Sequence, residues 1–288
     1  MNTQKIFKKL ALYILLISIG CGKNDDNKQS DLSKLEDIAT FHGNMNGDIV
    51  VIHSQGGPET TLNDSEVQEA ISSSGTSNAL WVNVHQAKTK DPSQFTSSDI
   101  TFEQAKTFNK QTIANLKRVV DFFKNLPDGG KTIYILGVSF GAFVIQELIA
   151  IHGVDVADGF LISVGRLDID DEAWIAFSEG KFGQFVYDTS RNYTIKIQET
   201  NEAVDRNMAR LAAGIGFNRY TTKLNGIGDL SKITYVWGNR DEAVGPLSQE
   251  EQDFLTKKGA TVVLESLGDH DAAIEKTFSI LKTTFNIE

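Results

Sequence analysis

The chain has 288 residues, of which 40% are hydrophobic and 23% charged, with only 4 Pro. Those proportions suit a globular domain and exclude disordered and collagenous classes. Its 28 Lys+Arg stand against 38 Asp+Glu, a net charge of −10, which argues against nucleic acid as a partner because phosphate binding needs a basic footprint. Cys21 is the only cysteine, so an internal disulfide and a thiolate metal cluster are both excluded; no Cys/His spacing suggests a metal site.

Residues 1–20 read as an address rather than as part of the fold. Lys5, Lys8 and Lys9 precede the apolar run Leu10–Ile19, interrupted by Ser18. That run is too short for a membrane-spanning helix, which needs about 20 residues, but suits a signal-peptide core. Ser18-Ile19-Gly20-Cys21 resembles the lipobox of bacterial lipoproteins, with Ser18 where Leu is usual. The resemblance implies cleavage before Cys21, its lipidation, and anchoring in the bacterial cell envelope at the outer membrane. Removing residues 1–20 takes away three lysines and no acid, so −10 becomes −13. Residues 21–35 are a polar tether; Lys23, Asp25 and Asp26 within it resemble the surface-export signal of some such lipoproteins.

From residue 36 onward the chain alternates two periods. Asp48–His53, Ala79–His85, Thr132–Val138, Gly159–Val164, Lys232–Trp237 and Thr261–Leu267 are strand-like. Most are continuous apolar runs, as expected of a parallel sheet buried on both faces. Thr101 and Gln104 form a capping box, after which Phe102, Ala105, Phe108, Thr112, Leu116, Val119 and Phe123 recur on one helical face. Ala142–His152 reads as a helix, and Ile274, Phe278, Leu281 and Phe285 mark the last one. The alternation predicts an α/β doubly wound layer fold over residues 36–288. Residues 170–228 lack a strong strand and carry two helical patterns, the clearer at Asn201–Ala213. They read as a small helical cap inserted before the next-to-last strand.

Gly137-Val138-Ser139-Phe140-Gly141 stands between the strand Thr132–Leu136 and a helix. That is the context a nucleophile elbow requires: a strained serine, small neighbours and a helix N-terminus aimed at its oxygen. Here the sequence resembles the α/β-hydrolase family over about residues 47–288. The family's order of serine, acid and histidine is met by Ser139, by Asp241 in Trp237-Gly238-Asn239-Arg240-Asp241, and by His270 in Leu267-Gly268-Asp269-His270. A serine hydroxyl is a poor nucleophile until a neutral imidazole takes its proton, and the imidazole needs a carboxylate to fix its tautomer. Asp168 is the alternative acid.

The resemblance also implies two backbone donors for an oxyanion. One is Phe140, after the nucleophile. The other belongs to His53-Ser54-Gln55-Gly56-Gly57-Pro58, which resembles a His-Gly-Gly-Pro turn with Ser54-Gln55 inserted. Ser54, Gln55 and Gly56 are all candidates, Gln55 first. His53 is expected to shape the loop, His85 to reach the catalytic edge, and His152 to end a helix; His42 is uninformative. Trp174, Phe177, Phe182, Phe185 and Tyr187 form an aromatic set in the cap, and Arg206 or Arg210 could face inward. The expected activity is serine hydrolysis of a small ester, thioester or amide, with a small-molecule acyl substrate and no cofactor. The alternatives are a hydrolase-fold binding lipoprotein without turnover, or a serine peptidase.

Overall fold

The computed structural model describes residues 32–288 apart from Pro58, Asp128 and Leu267. The signal segment, the lipobox and Cys21 lie outside the described residues. Ahead of Ile38 the described chain makes one 3-10 turn, Ser33–Leu35.

From Ile38 onward, β1 (Ala39–Gly43), β2 (Ile49–Ser54), β3 (Leu80–Val84), β4 (Thr132–Val138) and β5 (Gly159–Ser163) belong to the main sheet. A separate hairpin pairs β6 (Phe182–Tyr187) with β7 (Tyr193–Gln198), and β8 (Ile233–Gly238) and β9 (Thr261–Glu265) complete the main sheet. Its order is β1-β3-β2-β4-β5-β8-β9, parallel throughout except for β1 against β3. The continuous apolar runs have the consequence expected of them. Every residue of β3 and β5 is buried, whereas β9 at the sheet edge is half open. Helices cover both faces because neither face can be left to water.

The topology places the chemistry. From β2 the chain crosses to β3 on one side, and from β4 it crosses to β5 on the other. Strand order therefore reverses between β2 and β4, and the crevice at their C-terminal ends is where ligands bind in open α/β sheets. Those ends are flush, with Ser54 opposite Gly137. The helices after β4 and β9, Phe140–His152 and His270–Thr284, begin at this edge. The latter packs Leu281 and the following Phe285 into the core with Trp81, Leu136, Leu161 and Val236, and Phe285 stacks on Tyr134 at 4.5 Å.

Two features depart from expectation. Strand β1 has few apolar residues of its own, and its pairing along β3 from Ala39–Val84 to Gly43–Leu80 makes it a strand. The inserted segment is not purely helical. Besides the helices Asp171–Ser178 and Ala203–Gly216 it holds the β6–β7 hairpin, whose inward residue Phe185 is buried. Its ends are pinned by polar contacts. Buried Arg166 pairs with Glu251 at 3.1 Å and Asp170 at 2.8 Å. Asp168 accepts from the N–H and hydroxyl of Thr221 across the neck. The helix Phe102–Lys124 starts with the expected box, Thr101 Oγ1 accepting from Gln104 N–H at 3.1 Å and Gln104 Oε1 from Thr101 N–H at 2.7 Å. It also grips the insertion, since Asn109 Nδ2 donates to the Leu211 carbonyl at 2.9 Å. Among the described residues no helix is long and apolar enough to cross a membrane.

Candidate active site

Ser139 follows β4 directly and has φ 52°, ψ −114°. A non-glycine residue in that region is strained and persists only where the surroundings enforce it. Here the Ser139 N–H donates to the Ser163 carbonyl at 2.9 Å, and the helix Phe140–His152 begins at the next residue. The two motif glycines are there for space. A Cβ on Gly141 would lie 1.9 Å from the Ser54 carbonyl oxygen, and one on Gly137 would lie 2.5 Å from the Gly141 oxygen. Strand end, turn and helix can approach this closely only without side chains.

Asp241 and His270 come from the ends of β8 and β9, and their loops are tied together. Arg240 N–H donates to the Gly268 carbonyl at 3.1 Å. Asp241 is 1% exposed. Its Oδ1 accepts from the Ala243 and Val244 N–H groups, both at 2.9 Å, which leaves Oδ2 to face His270 Nδ1 at 2.8 Å. Burial disfavours the His270 cation. The hydrogen bond and charge of Asp241, with Glu242 and Asp271 nearby, outweigh that penalty and hold the ring above its ordinary 6.5. Asp269 is occupied as the cap of the last helix, accepting from Ala272 N–H at 3.0 Å. Ser139 and His270 line one cavity together, although no hydrogen bond joins them. Such contacts are often long before substrate binds.

The loop after β2 lies against the serine. A Cβ on Gly56 would sit 3.4 Å from that of Ser139. Gln55 is the loop's anchor: Nε2 donates to the Thr61 carbonyl at 3.0 Å, Oε1 accepts from Asn63 N–H at 2.8 Å, and its carbonyl accepts from Gln86 Nε2 at 2.7 Å.

Ser139 stands at the junction of two cavities. The larger, about 330 Å³, runs beneath the insertion between Phe140, Phe143, Phe177, Phe182, Met208 and Leu211. The smaller, about 220 Å³, runs past Gln55, Gly56, Glu66 and His270.

Other expected residues are placed elsewhere. Buried His53 holds Asn83 Oδ1 at 3.0 Å through Nδ1, and burial keeps its pKa low. His42 contacts Asp64 at 3.0 Å. His85 contacts Thr89 Oγ1 at 3.1 Å and lines neither cavity at Ser139. His152 closes the last turn of its helix before Gly153. Neither Arg206 nor Arg210 faces the larger cavity; both pair with Asp99, at 2.8 and 3.2 Å. The aromatic set divides: Phe177 and Phe182 line the cavity, Trp174 packs on Phe102 and Phe217, and Phe185 packs on Tyr193. Tyr187 donates to the Asp241 carbonyl at 2.7 Å, which ties the hairpin to the acid's loop.

Two charged residues in the larger cavity went unnoticed in the sequence, Lys88 and Glu242. Glu242 was adjacent to a candidate. Lys88 gave no signal, because it sits in a single-turn helix, Ala87–Lys90, with nothing in its spacing to mark burial. Among the described residues no group of three or more His, Cys, Asp or Glu could hold a metal ion.

No protein-family model matches the sequence, and no curated protein matches it. Solved structures do. MGS-M2, an alpha/beta hydrolase from a Medee basin deep-sea metagenome library, aligns with a TM-score of 0.56 at 12% identity, covering 87% of this chain and 94% of its own. BpoC from Mycobacterium tuberculosis, a candidate non-heme bromoperoxidase, aligns at 0.54 and 12%, covering 86% and 94%. A lipase-esterase related protein from Clostridium acetobutylicum aligns at 0.51 and 11%, covering 87% and 98%. At these identities the likeness shows the fold: a mostly parallel sheet flanked by helices, as in α/β-hydrolases.

Proposed function

We propose that the protein is a serine hydrolase acting on a small ester, thioester or amide through a covalent acyl-enzyme. One observation carries the reading. Asp241 has one oxygen locked by two N–H groups and the other at 2.8 Å from His270 Nδ1, with His270 opening on the same cavity as a strained serine at a helix N-terminus. That pairing puts the His270 proton on Nδ1 and leaves Nε2 as the base. Ser139 Oγ attacks the acyl carbon as Nε2 takes its proton; the oxyanion collapses, and the leaving group departs with that proton. Water then repeats the sequence, releasing the acid and restoring the serine.

The helix-start N–H of Phe140 is one oxyanion donor in this reading. Gln55 supplies the other, since its side chain and carbonyl are engaged in holding the loop and its N–H is what it can offer. Esterase is favoured over peptidase because the larger cavity is a small, mostly apolar space of about 330 Å³ beneath a short insertion. The test is a fluorophosphonate probe. Stoichiometric labelling at Ser139 supports the enzyme, and an unreactive Ser139 in folded protein favours the binding-protein alternative.

The pH profile follows from the sign of the His270 shift. The neutral ring is the base, so kcat/KM should rise with pH through a pKa above 6.5 and then level. The charged Asp241–His270 pair contributes to folding stability in the opposite sense. That contribution is complete below 6.5 and disappears as pH rises through the folded-state pKa. A kcat/KM profile with its acidic limb below 6.5 would contradict the assignment of His270 as base.

We also propose that Cys21 carries the acyl chains that anchor the protein to the bacterial outer membrane. One chain gives marginal membrane binding and two give stable anchoring. Fractionating cells that express Cys21→Ala should move the protein from the membrane to the soluble fraction; unchanged partition would overturn the anchor.

A further inference from the structure

Lys88 is 2% exposed and lies in the wall of the larger cavity with Ser139. Its ammonium can donate three hydrogen bonds, yet the partner it has is the Gly56 carbonyl at 3.3 Å. It also sits 4.5 Å from the Phe140 ring centroid and against Gly57, where a Cβ would come within 2.5 Å of Nζ. Among the described residues no carboxylate forms an ion pair with it. A buried, unpaired ammonium is costly. Burial pushes Lys88 down to about 7, against a partial pull upward from the charge of Glu59. The other charged side chain of this wall, Glu242, receives the His270 N–H at 3.3 Å.

The two cavities can be assigned to the two halves of an ester. His270 must protonate the leaving oxygen, and His270 lines the smaller cavity but not the larger one. The alcohol therefore belongs beside His270, and the acyl chain runs into the larger cavity, among Phe143, Met208 and Leu211, toward Lys88. Resting on the serine hydrolase reading, we propose that the natural substrates are half-esters of dicarboxylic acids, the free carboxylate of the acyl chain pairing with Lys88 Nζ. The carboxylate gives Lys88 the ion-pair partner it lacks among the described residues and fills its unused donors, while the methylenes between the two acid groups contact the apolar wall. The products are the alcohol and the dicarboxylic acid, with water the sole co-reactant.

The test compares monomethyl glutarate with methyl pentanoate, its neutral counterpart, by titration of released acid, in wild type, Lys88→Met and Lys88→Arg. Fluorophosphonate labelling of Ser139 is measured in the same preparations. Wild type should favour the half-ester in kcat/KM. Truncating one partner of a buried charge pair typically costs a factor of about 30 or more, so Lys88→Met should lower the half-ester to neutral-ester ratio by at least that factor. Lys88→Arg, which keeps the charge, should retain most of the preference and excludes misfolding as the cause. A ratio that is the same in wild type and Lys88→Met overturns the proposal, whatever happens to the absolute rates, and makes Lys88 a brace for the Gly56 loop. A labelled Ser139 with no turnover of the half-ester also overturns it while leaving the hydrolase reading intact. An unlabelled Ser139 in folded wild type removes the hydrolase reading, and this proposal with it.

Discussion

Ser139→Ala is expected to lower kcat by about a million-fold, the loss seen when a nucleophile acting within a triad is removed. The fold should survive. Alanine inherits the same φ of 52°, the Ser139 N–H still reaches Ser163, and no side-chain hydrogen bond is lost because the hydroxyl makes none among the described residues. Thermal unfolding should therefore shift little while turnover vanishes and fluorophosphonate labelling ceases. A folded variant that keeps a tenth of wild-type turnover on any accepted substrate would sink the nucleophile assignment.

Asp241→Asn should lower kcat by about 10⁴, through orientation rather than loss of shape. The Ala243 and Val244 N–H groups demand an acceptor at the Oδ1 position, so the amide oxygen is placed there and the NH₂ is forced to face His270 Nδ1. Nδ1 must then accept, the ring proton moves to Nε2, and the base can no longer receive the serine proton. Without the Asp241 charge, burial should also win at His270 and bring its pKa down. Asp168→Asn tests a different bond. Asp168 accepts from Thr221 at the neck of the insertion, so its loss should cost stability, about 1 kcal/mol for a weakened, part-buried hydrogen bond, with a far smaller effect on kcat. Both variants are measured on one substrate. If Asp168→Asn were the more damaging to kcat, Asp241 would be a loop residue and the acid would lie before the insertion.

Much of this architecture is legible in the chain because it rests on local rules. Most of the six core strands announce themselves as continuous apolar runs, and each of the six lies within two residues of its expected bounds. The helix at Phe102 is written in its capping box, and the elbow at Ser139 in a glycine at either side. Parallel strands put their C-terminal ends on one edge, so residues following β2, β4, β8 and β9 are brought to that edge by topology alone. The resemblance to the α/β-hydrolase order of motifs names Ser139, Asp241 and His270, and the topology explains why those three positions share one edge.

What the chain could not disclose depends on partners distant in sequence. Strand β1 exists because β3 offers it an edge, and the β6–β7 hairpin because Phe185 finds a buried site and Tyr187 finds the Asp241 carbonyl. The choice between Asp241 and Asp168 turns on which carboxylate meets His270 and which meets Thr221, a question of spatial reach that spacing does not encode. Which cation faces the cavity is not encoded in spacing: Arg206 and Arg210 are both drawn away by Asp99. It is Lys88, which composition and periodicity treat as an ordinary surface lysine. Local propensity and hydrophobic period determine where strands and helices lie; the burial of a charge is decided by the surfaces that close over it, and those form only when the chain has folded.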